Sequence, residues 1–204
     1  GIIRKKYKNY FLLGKSLNDY LKDLWISVGS SYGNVLDVGA WEGEFAYFAE
    51  KYWTFPNTKV KSIDREEDFV QKWKKKWIDI ETMDALSLSF PDASFDTLIS
   101  HASMPHCLLD FKFNAEKQIE DPKGEEKVIQ WIHESLRVVK VWGEIRFRSP
   151  NTEEGDYRWD IIKKAIDKLS PKFFTYTTLP ESSEPSRHWK TTYILQKVST
   201  DLHE

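Results

Sequence analysis

The sequence predicts an α/β fold in which a largely parallel sheet carries helices. Residues 35–38 form a short apolar run with one acid, the pattern of a strand buried on both faces. Gly39 and Gly43 then break the chain, and apolar residues recur at helical spacing from residue 45 to 52. This order of strand, glycine turn and helix, followed by further short strands that alternate with helical segments, is typical of an α/β domain.

The glycine turn also predicts a ligand site. Glycines let the backbone approach a ligand closely, and a helix start offers N–H groups that have no partner within the helix. Open α/β sheets bind nucleotides at such turns, beyond the carboxyl end of a central strand. Dinucleotide enzymes usually carry Gly-x-Gly-x-x-Gly there, whereas in this chain Asp37 precedes Gly39 by two residues, which disfavours a nicotinamide-dependent oxidoreductase.

A second acid lies at the end of the next predicted strand. Residues 59–64 read as a strand that ends at Asp64, 21 residues after Gly43. A carboxylate in this place can accept both hydroxyl protons of a ribose. Alternatively, Asp64 caps the helix predicted at 66–76, and the two roles are compatible.

Composition narrows the possible environments and partners. The 204 residues suit one domain, and the formal net charge of −2 implies no general attraction to polyanions. Basic residues cluster at 4–8 and 72–76, where a solvated helix face is the simpler interpretation, so a nucleic-acid partner is not favoured. The single Cys107 excludes an internal disulfide and a cysteine-built zinc site, and no metal site is predicted. A reducing, cytoplasmic location is expected, and no apolar run reaches the roughly 20 residues that span a bilayer.

The remaining elements follow from periodicity and turn residues. A basic and aromatic segment with a helix is expected at 1–33, one domain at 34–198 and a tail at 199–204. Within these bounds, the first helix is predicted at 17–28, strands at 78–84 and 95–101, an insertion that forms a lid or substrate wall at 109–126, helices at 125–139 and 157–169, and two last strands at 172–179 and 189–198.

Three segments resemble a known family. Asp37, Gly39, Trp41 and Gly43 resemble motif I of the class I S-adenosylmethionine (SAM) methyltransferases, Asp/Glu-x-Gly-x-Gly-x-Gly, with Trp41 at the middle glycine. The segment Asp84-Ala-Leu-Ser-Leu-Ser-Phe-Pro-Asp-Ala-Ser-Phe-Asp96 resembles Asp-Ala-x-x-Leu-Pro-Phe-x-Asp-x-Ser-Phe-Asp of the ubiquinone-biosynthesis type, also known as methyltransferase domain 11. Residues 134–147 are similar to that family's Glu-x-x-Arg-Val-Leu-Lys-Pro-Gly-Gly-x-Leu, with Val141 and Trp142 in place of Pro and the first Gly.

The resemblance implies a fold and a cofactor. The fold is a Rossmann-like, seven-stranded mixed sheet of strand order 3-2-1-4-5-7-6 with helices on both faces, closed by an antiparallel pair. The cofactor is SAM, with S-adenosylhomocysteine as product. In the family, the acid that matches Asp84 receives the adenine amino group, and Ala85 gives its backbone N–H to the ring. The implied cofactor-binding residues are Asp37, Gly39, Ala40, Trp41, Gly43, Asp64, Arg65, Asp84, Ala85 and Ser100.

The same resemblance places candidate catalytic groups after the fourth strand. His101 and His106 lie where the family faces the transferred methyl, and either is a candidate base if the acceptor must lose a proton. A small-molecule acceptor is favoured. A protein-lysine methyltransferase is an alternative, although such enzymes have Asp/Glu-Lys-Gly-Thr-Leu-Asp where this chain has residues 100–105. A further alternative is a non-catalytic SAM-fold module that binds partners through Trp-rich and Lys-rich surfaces.

Overall fold

The computed structural model describes residues 17–40, 44–52, 55–101, 103, 123–148, 157–179 and 192–199. Trp41, Gly43 and His106, and nearly all of the insertion predicted at 109–126, lie outside these described residues.

Five helices and seven strands alternate along the described chain. Their bounds, in chain order, are α1 Leu17–Asp23, β1 Gly33–Val38, α2 Glu44–Tyr52, β2 Thr58–Asp64, α3 Glu67–Lys74, β3 Ile80–Thr82, β4 Phe95–His101, α4 Gly124–Val138, β5 Val139–Arg148, α5 Tyr157–Leu169, β6 Phe174–Leu179 and β7 Thr192–Lys197.

The strands form one seven-stranded sheet of order β3-β2-β1-β4-β5-β7-β6, which confirms the predicted fold class. β1 to β5 pair in parallel, with Val35 opposite Val60 on β2 and opposite Thr97 on β4. β7 pairs antiparallel with both β5 and β6. Since parallel strands end at one edge, the residues that follow β1 to β4 are brought to that edge.

Two apolar cores cover the two faces of the sheet, because successive strand residues point to opposite sides. Val35 packs in a core with residues of α1, α2 and α3, including Tyr20, Ala46 and Val70. The next residue, Leu36, packs in the other core, with residues of α4 and α5. Helices on both faces therefore shield the central strands from water.

The first helix is shorter than predicted. The helix expected at 17–28 ends at Asp23, because Trp25 adopts a left-handed backbone conformation with φ of 54°. The guanidinium of Arg146 on β5 binds the carbonyl oxygens of Leu24 and Trp25, at 3.3 Å and 2.8 Å. The helix therefore ends early, and its last turn is followed by residues that Arg146 binds to β5.

Candidate active site

A cleft lies beyond the carboxyl ends of β1, β2 and β3, and its volume is about 120 Å³. It brings together Gly39, Asp64, Arg65, Asp84 and Ala85, all of which the sequence singled out. The remaining lining residues in the described part of the chain are Val38, Ile63 and Met83.

The wall formed by Gly39 is bare backbone. Gly39 has φ of +68°, and a Cβ built on it would lie 2.4 Å from the side chain of Ser103, so no larger residue fits. The amide N–H groups of Gly39 and Ala40 both donate to the carbonyl of Ile63, at 2.9 Å and 3.0 Å. These two amides therefore tie β1 to β2 and shape the turn, and close approach of a ligand depends on the missing side chain.

Asp64 orders the turn that leads into α3, whereas its role toward a ribose remains a prediction. One oxygen of this buried carboxylate accepts the N–H of Glu66 at 3.0 Å, which fixes the start of the turn into α3. A carboxylate offers about four acceptor positions, so Asp64 can also accept hydroxyl protons from a ligand in the cleft. Asp84 also accepts the N–H of the residue two positions later, since its Oδ1 lies 2.9 Å from the Leu86 nitrogen. Unlike Asp64, its side chain is exposed at the cleft.

Arg137 on α4 holds the loop that carries Asp84 and Ala85. Its guanidinium donates to the carbonyls of Phe90 and Leu88, both at 2.8 Å, and to the carboxylate of Asp92 at 2.8 Å. Glu134 also binds this loop, since it accepts hydrogen bonds from Arg137 at 2.9 Å and from the N–H of Leu88 at 2.9 Å. Arg137 and Glu134 together form a clamp on the loop. The hydrogen bond from Arg137 lowers the pKa of Glu134 and outweighs the effect of burial. The segment after β3 is thereby fixed to α4, which covers the face of the sheet opposite α1, α2 and α3.

Asp37 is fully buried below the glycine turn. The hydroxyl of Tyr20 on α1 donates to its two oxygens, at 3.2 Å and 3.1 Å. The Tyr20 ring also stacks on that of His101, with 5.3 Å between centroids. The first helix therefore joins the end of β1 to the end of β4.

His101, at the carboxyl end of β4, is held by Asp23 of α1. His101 Nε2 lies 2.8 Å from Asp23 Oδ2, and Arg148 at the end of β5 pairs with the other Asp23 oxygen. Burial alone would raise the pKa of Asp23, but the hydrogen bond from His101 and the charge of Arg148 outweigh it and lower that pKa. Asp23 is thus a carboxylate in the folded protein near neutral pH, so the hydrogen bond requires a proton on Nε2.

Three of the described cofactor candidates, Asp37, Ala40 and Ser100, are buried and do not line the cleft. Ser100 lies at the end of β4. It is fully buried, and its hydroxyl shares a hydrogen bond of 2.6 Å with that of Ser103, which donates to the carbonyl of Val38 at 2.8 Å. Its predicted role in cofactor binding remains a prediction. Sequence reasoning missed Tyr20, Asp23 and Arg148, which carry no motif and join the site through contacts distant in the chain.

The segment that forms the cleft is similar to a known protein family. Residues 35–116 of the chain match the family model of a methyltransferase domain, a range that contains the cleft and the end of β4. No curated protein matches the chain.

Solved structures share the fold. A SAM-dependent methyltransferase from Aquifex aeolicus aligns with a TM-score of 0.54 and 15% identity over 88% of this chain and 87% of its own. The YcgJ protein from Bacillus subtilis aligns with a TM-score of 0.51 and 17% identity over 74% of this chain. The chain spans 65% of that protein. A phosphoethanolamine N-methyltransferase from Haemonchus contortus aligns with a TM-score of 0.54 and 14% identity, over 90% of this chain and 53% of its own. That structure is a complex with phosphomonomethylethanolamine and S-adenosylhomocysteine.

The matched model is that of a methyltransferase domain, and two of these solved structures are methyltransferases that share the fold. The likeness to solved structures establishes the fold, and the family match covers the segment that carries the glycine turn, Asp64 and Asp84. The residues of the cleft fit SAM as a cofactor: bare backbone at Gly39, one carboxylate at the end of β2 and a second one after β3. No helix in the described part of the chain combines the length and apolar character that a bilayer crossing requires.

Proposed function

We propose that the chain transfers the methyl group of SAM to a small-molecule acceptor held beyond the carboxyl ends of β4 and β5. The observation that carries the proposal is the cleft, in which one carboxylate ends β2 and another follows β3, beside a glycine with φ of +68°. Nucleotide-like ligands bind at this place in open α/β sheets.

Each cleft residue has a role in this proposal. Asp64 accepts the ribose hydroxyls, Asp84 accepts the adenine amino group, and the Ala85 amide donates to the adenine ring. Gly39 lets the amino-acid part of the ligand pass close to the backbone, and Arg65 covers the ribose side. When bound, SAM supplies a sulfonium-linked methyl that a nucleophile can attack in line.

The proposed acceptor side of the site contains His101, which is buried, together with the half-buried Asp23 and Arg148. We propose that His101 takes the proton of an acceptor that must lose one. With Nε2–H donated to Asp23, the lone pair of the neutral ring lies on Nδ1, a buried atom that the acceptor must reach in order to give up its proton. Asp23 holds the ring in this tautomer and stabilises the imidazolium, while Arg148 keeps Asp23 ionised. His106, which lies outside the described residues, is the second candidate base.

A small acceptor is supported by the lack of the lysine-methyltransferase motif after β4. Radiolabelled SAM incubated with the protein and a cell extract tests this directly. Label in a small molecule separated from SAM supports the proposal, whereas label in precipitated protein indicates the protein-lysine alternative. If neither fraction gains label above a boiled-protein control, the non-catalytic module is favoured.

The base is tested by replacing each histidine once an acceptor is found. We expect His101→Ala to lower turnover by about 100-fold or more, a typical loss for a general base, with a smaller effect at high pH. If His101→Ala and His106→Ala both keep full turnover across pH, neither histidine acts as the base.

A further inference from the structure

Trp77 has an unusual position immediately after α3. Its side chain is 93% exposed, and its backbone is left-handed with φ of 63°. The Trp77 N–H donates to the Lys74 carbonyl at 3.1 Å and closes the helix end, where glycine is the usual residue. A tryptophan gains neither packing nor a favoured backbone conformation at such a position, so folding does not explain it.

A groove opens beside this ring. Its volume is about 550 Å³, within the usual range for ligand sites, and the described residues that line it are Tyr47, Glu50, Lys76, Trp77 and Ile78. It lies between α2 and the connection from α3 to β3. Two aromatic rings, an ammonium group and a carboxylate therefore face one concave surface.

The margin of the groove is strongly basic. Residues 72–77 contain Lys72, Lys74, Lys75 and Lys76 and no acid. The ammonium groups of Lys76 and Lys72 lie 4.1 Å and 5.4 Å from the centre of the Trp73 ring, which holds both beside the helix. Positive charge and an exposed aromatic ring in one patch are the two components of a surface for single-stranded nucleic acid.

Glu50 adds a hydrogen-bond acceptor to the groove. Burial, and then the nearby charge of Asp79, raise the pKa of this carboxyl. No hydrogen bond or ion pair of the described residues involves its carboxylate. A partner that donates hydrogens, such as the amino group on the edge of an unpaired adenine or cytosine, would stabilise its charged form.

We propose that this groove binds single-stranded RNA, with one base stacked on Trp77 and the adjacent phosphates on the lysines of 72–76. A fully exposed ring can stack only on a base that is not paired within a duplex, and unpaired bases are what RNA loops and ends present. The near-zero total charge of the chain does not oppose this, because four lysines lie together at 72–76 beside the groove.

The RNA site is separate from the cleft. β3 begins at Ile80 opposite Ser62, so Ile78 lies before the strand, on the amino side, whereas the cleft lies beyond Asp64 and Thr82. The inference therefore stands independently of methyl transfer. It assigns the chain a second ligand that needs no contact with the cofactor.

Fluorescence anisotropy with a labelled oligoadenylate RNA of about 15 nucleotides tests the inference on the whole chain. Trp77→Gly removes the ring and relieves the backbone, so the variant should melt at or above the wild-type temperature. Trp142→Gly is the matched control, because Trp142 is also left-handed (φ 67°) and 67% exposed, but the neighbouring Lys140 is paired with Asp96 at 2.7 Å.

We expect Trp77→Gly to weaken RNA binding by about tenfold or more, and Trp142→Gly by less than about twofold. Lys75→Ala should weaken binding and make it less sensitive to salt between about 50 and 200 mM. Oligouridylate, which lacks a base amino group, and duplex RNA should bind more weakly. The inference is overturned if the wild type does not bind, if duplex binds equally, or if both tryptophan variants lose affinity alike. Calorimetry with S-adenosylhomocysteine should give the same affinity for Trp77→Gly and wild type.

Discussion

Asp23 Oδ2 accepts a hydrogen bond from His101 Nε2 at 2.8 Å, although the two residues lie 78 positions apart in the sequence. The bond joins a helix that precedes the sheet to the end of its central strand β4. Through it, the first helix contacts the end of β4, where we propose that the acceptor binds, and fixes the tautomer of the histidine.

Asp23→Asn tests whether this contact serves catalysis. An amide cannot balance the positive charge that His101 gains as a base, so we expect turnover to fall by about 10- to 100-fold. Affinity for S-adenosylhomocysteine, measured by calorimetry, should change by less than about twofold. Asp167→Asn is the control, since Asp167 pairs only at the surface, with Lys163 and Tyr176. Equal turnover in Asp23→Asn and the wild type would contradict the role of Asp23.

Arg137→Lys tests the clamp on the loop of Asp84 and Ala85. Lysine keeps the charge but cannot reach two carbonyls and two carboxylates at once, so we expect a loss of about 1.5–3 kcal/mol in the free energy of unfolding. Urea denaturation measures this loss. Affinity for S-adenosylhomocysteine should also fall, because the loop of Asp84 and Ala85, for which we propose a contact with adenine, is less well fixed.

The control for this variant is Lys168→Ala, which breaks an exposed ion pair with Glu125 at 3.7 Å and should cost less than about 0.5 kcal/mol. If Arg137→Lys loses stability without losing affinity, the clamp stabilises the fold but does not position the cofactor loop.

The pH dependence of stability should report the same clamp. The pKa of Glu134 is lowered in the folded protein from its ordinary value of 4.5, so its contribution is complete above about pH 4.5 and disappears as pH falls through the lower folded value. Urea midpoints of wild type and Glu134→Gln should therefore differ at pH 7 and converge as the pH falls below 4.5. A difference that stays constant in acid would exclude this origin.

Tyr20→Phe removes the hydroxyl that donates to the buried Asp37. We expect the free energy of unfolding to fall by about 1–2 kcal/mol, because the carboxylate loses a donor inside the protein. Tyr32→Phe is the matched control: its hydroxyl accepts the N–H of Ser27 at 2.8 Å in an exposed loop, and its loss should cost about 0.5 kcal/mol or less. Equal losses in the two variants would show that burial of Asp37 is not the cause.

The central sheet and the cofactor edge could be predicted from sequence because their signals are local. The apolar run before Gly39, the acid that ends β2 and the segment from Asp84 to Asp96 each lie within one strand and its turn. Parallel pairing then brings the strand ends together, so Gly39, Asp64 and Asp84 meet in one cleft without further information.

The acceptor side could not be predicted in the same way. Asp23 and Tyr20 lie on a helix whose periodicity reveals only an apolar face, and their partners His101 and Asp37 follow other elements. The early end of that helix depends on Trp25 in a left-handed conformation and on Arg146, which is distant in sequence. Such long-range contacts leave no pattern in a single sequence.

The most direct test of the central claim is calorimetric titration of wild type, Asp64→Asn and Asp79→Asn with S-adenosylhomocysteine, with NADH as the control ligand. The amide oxygen introduced by Asp64→Asn can still accept the Glu66 N–H, whereas Asp79, which pairs with Lys61 at 2.5 Å, does not line the cleft. We predict a wild-type dissociation constant at or below about 100 μM, roughly −5.5 kcal/mol, a tenfold or greater loss in Asp64→Asn, and no change in Asp79→Asn. No heat with the wild type, or equal affinity in all three proteins, would contradict a cofactor site at Asp64.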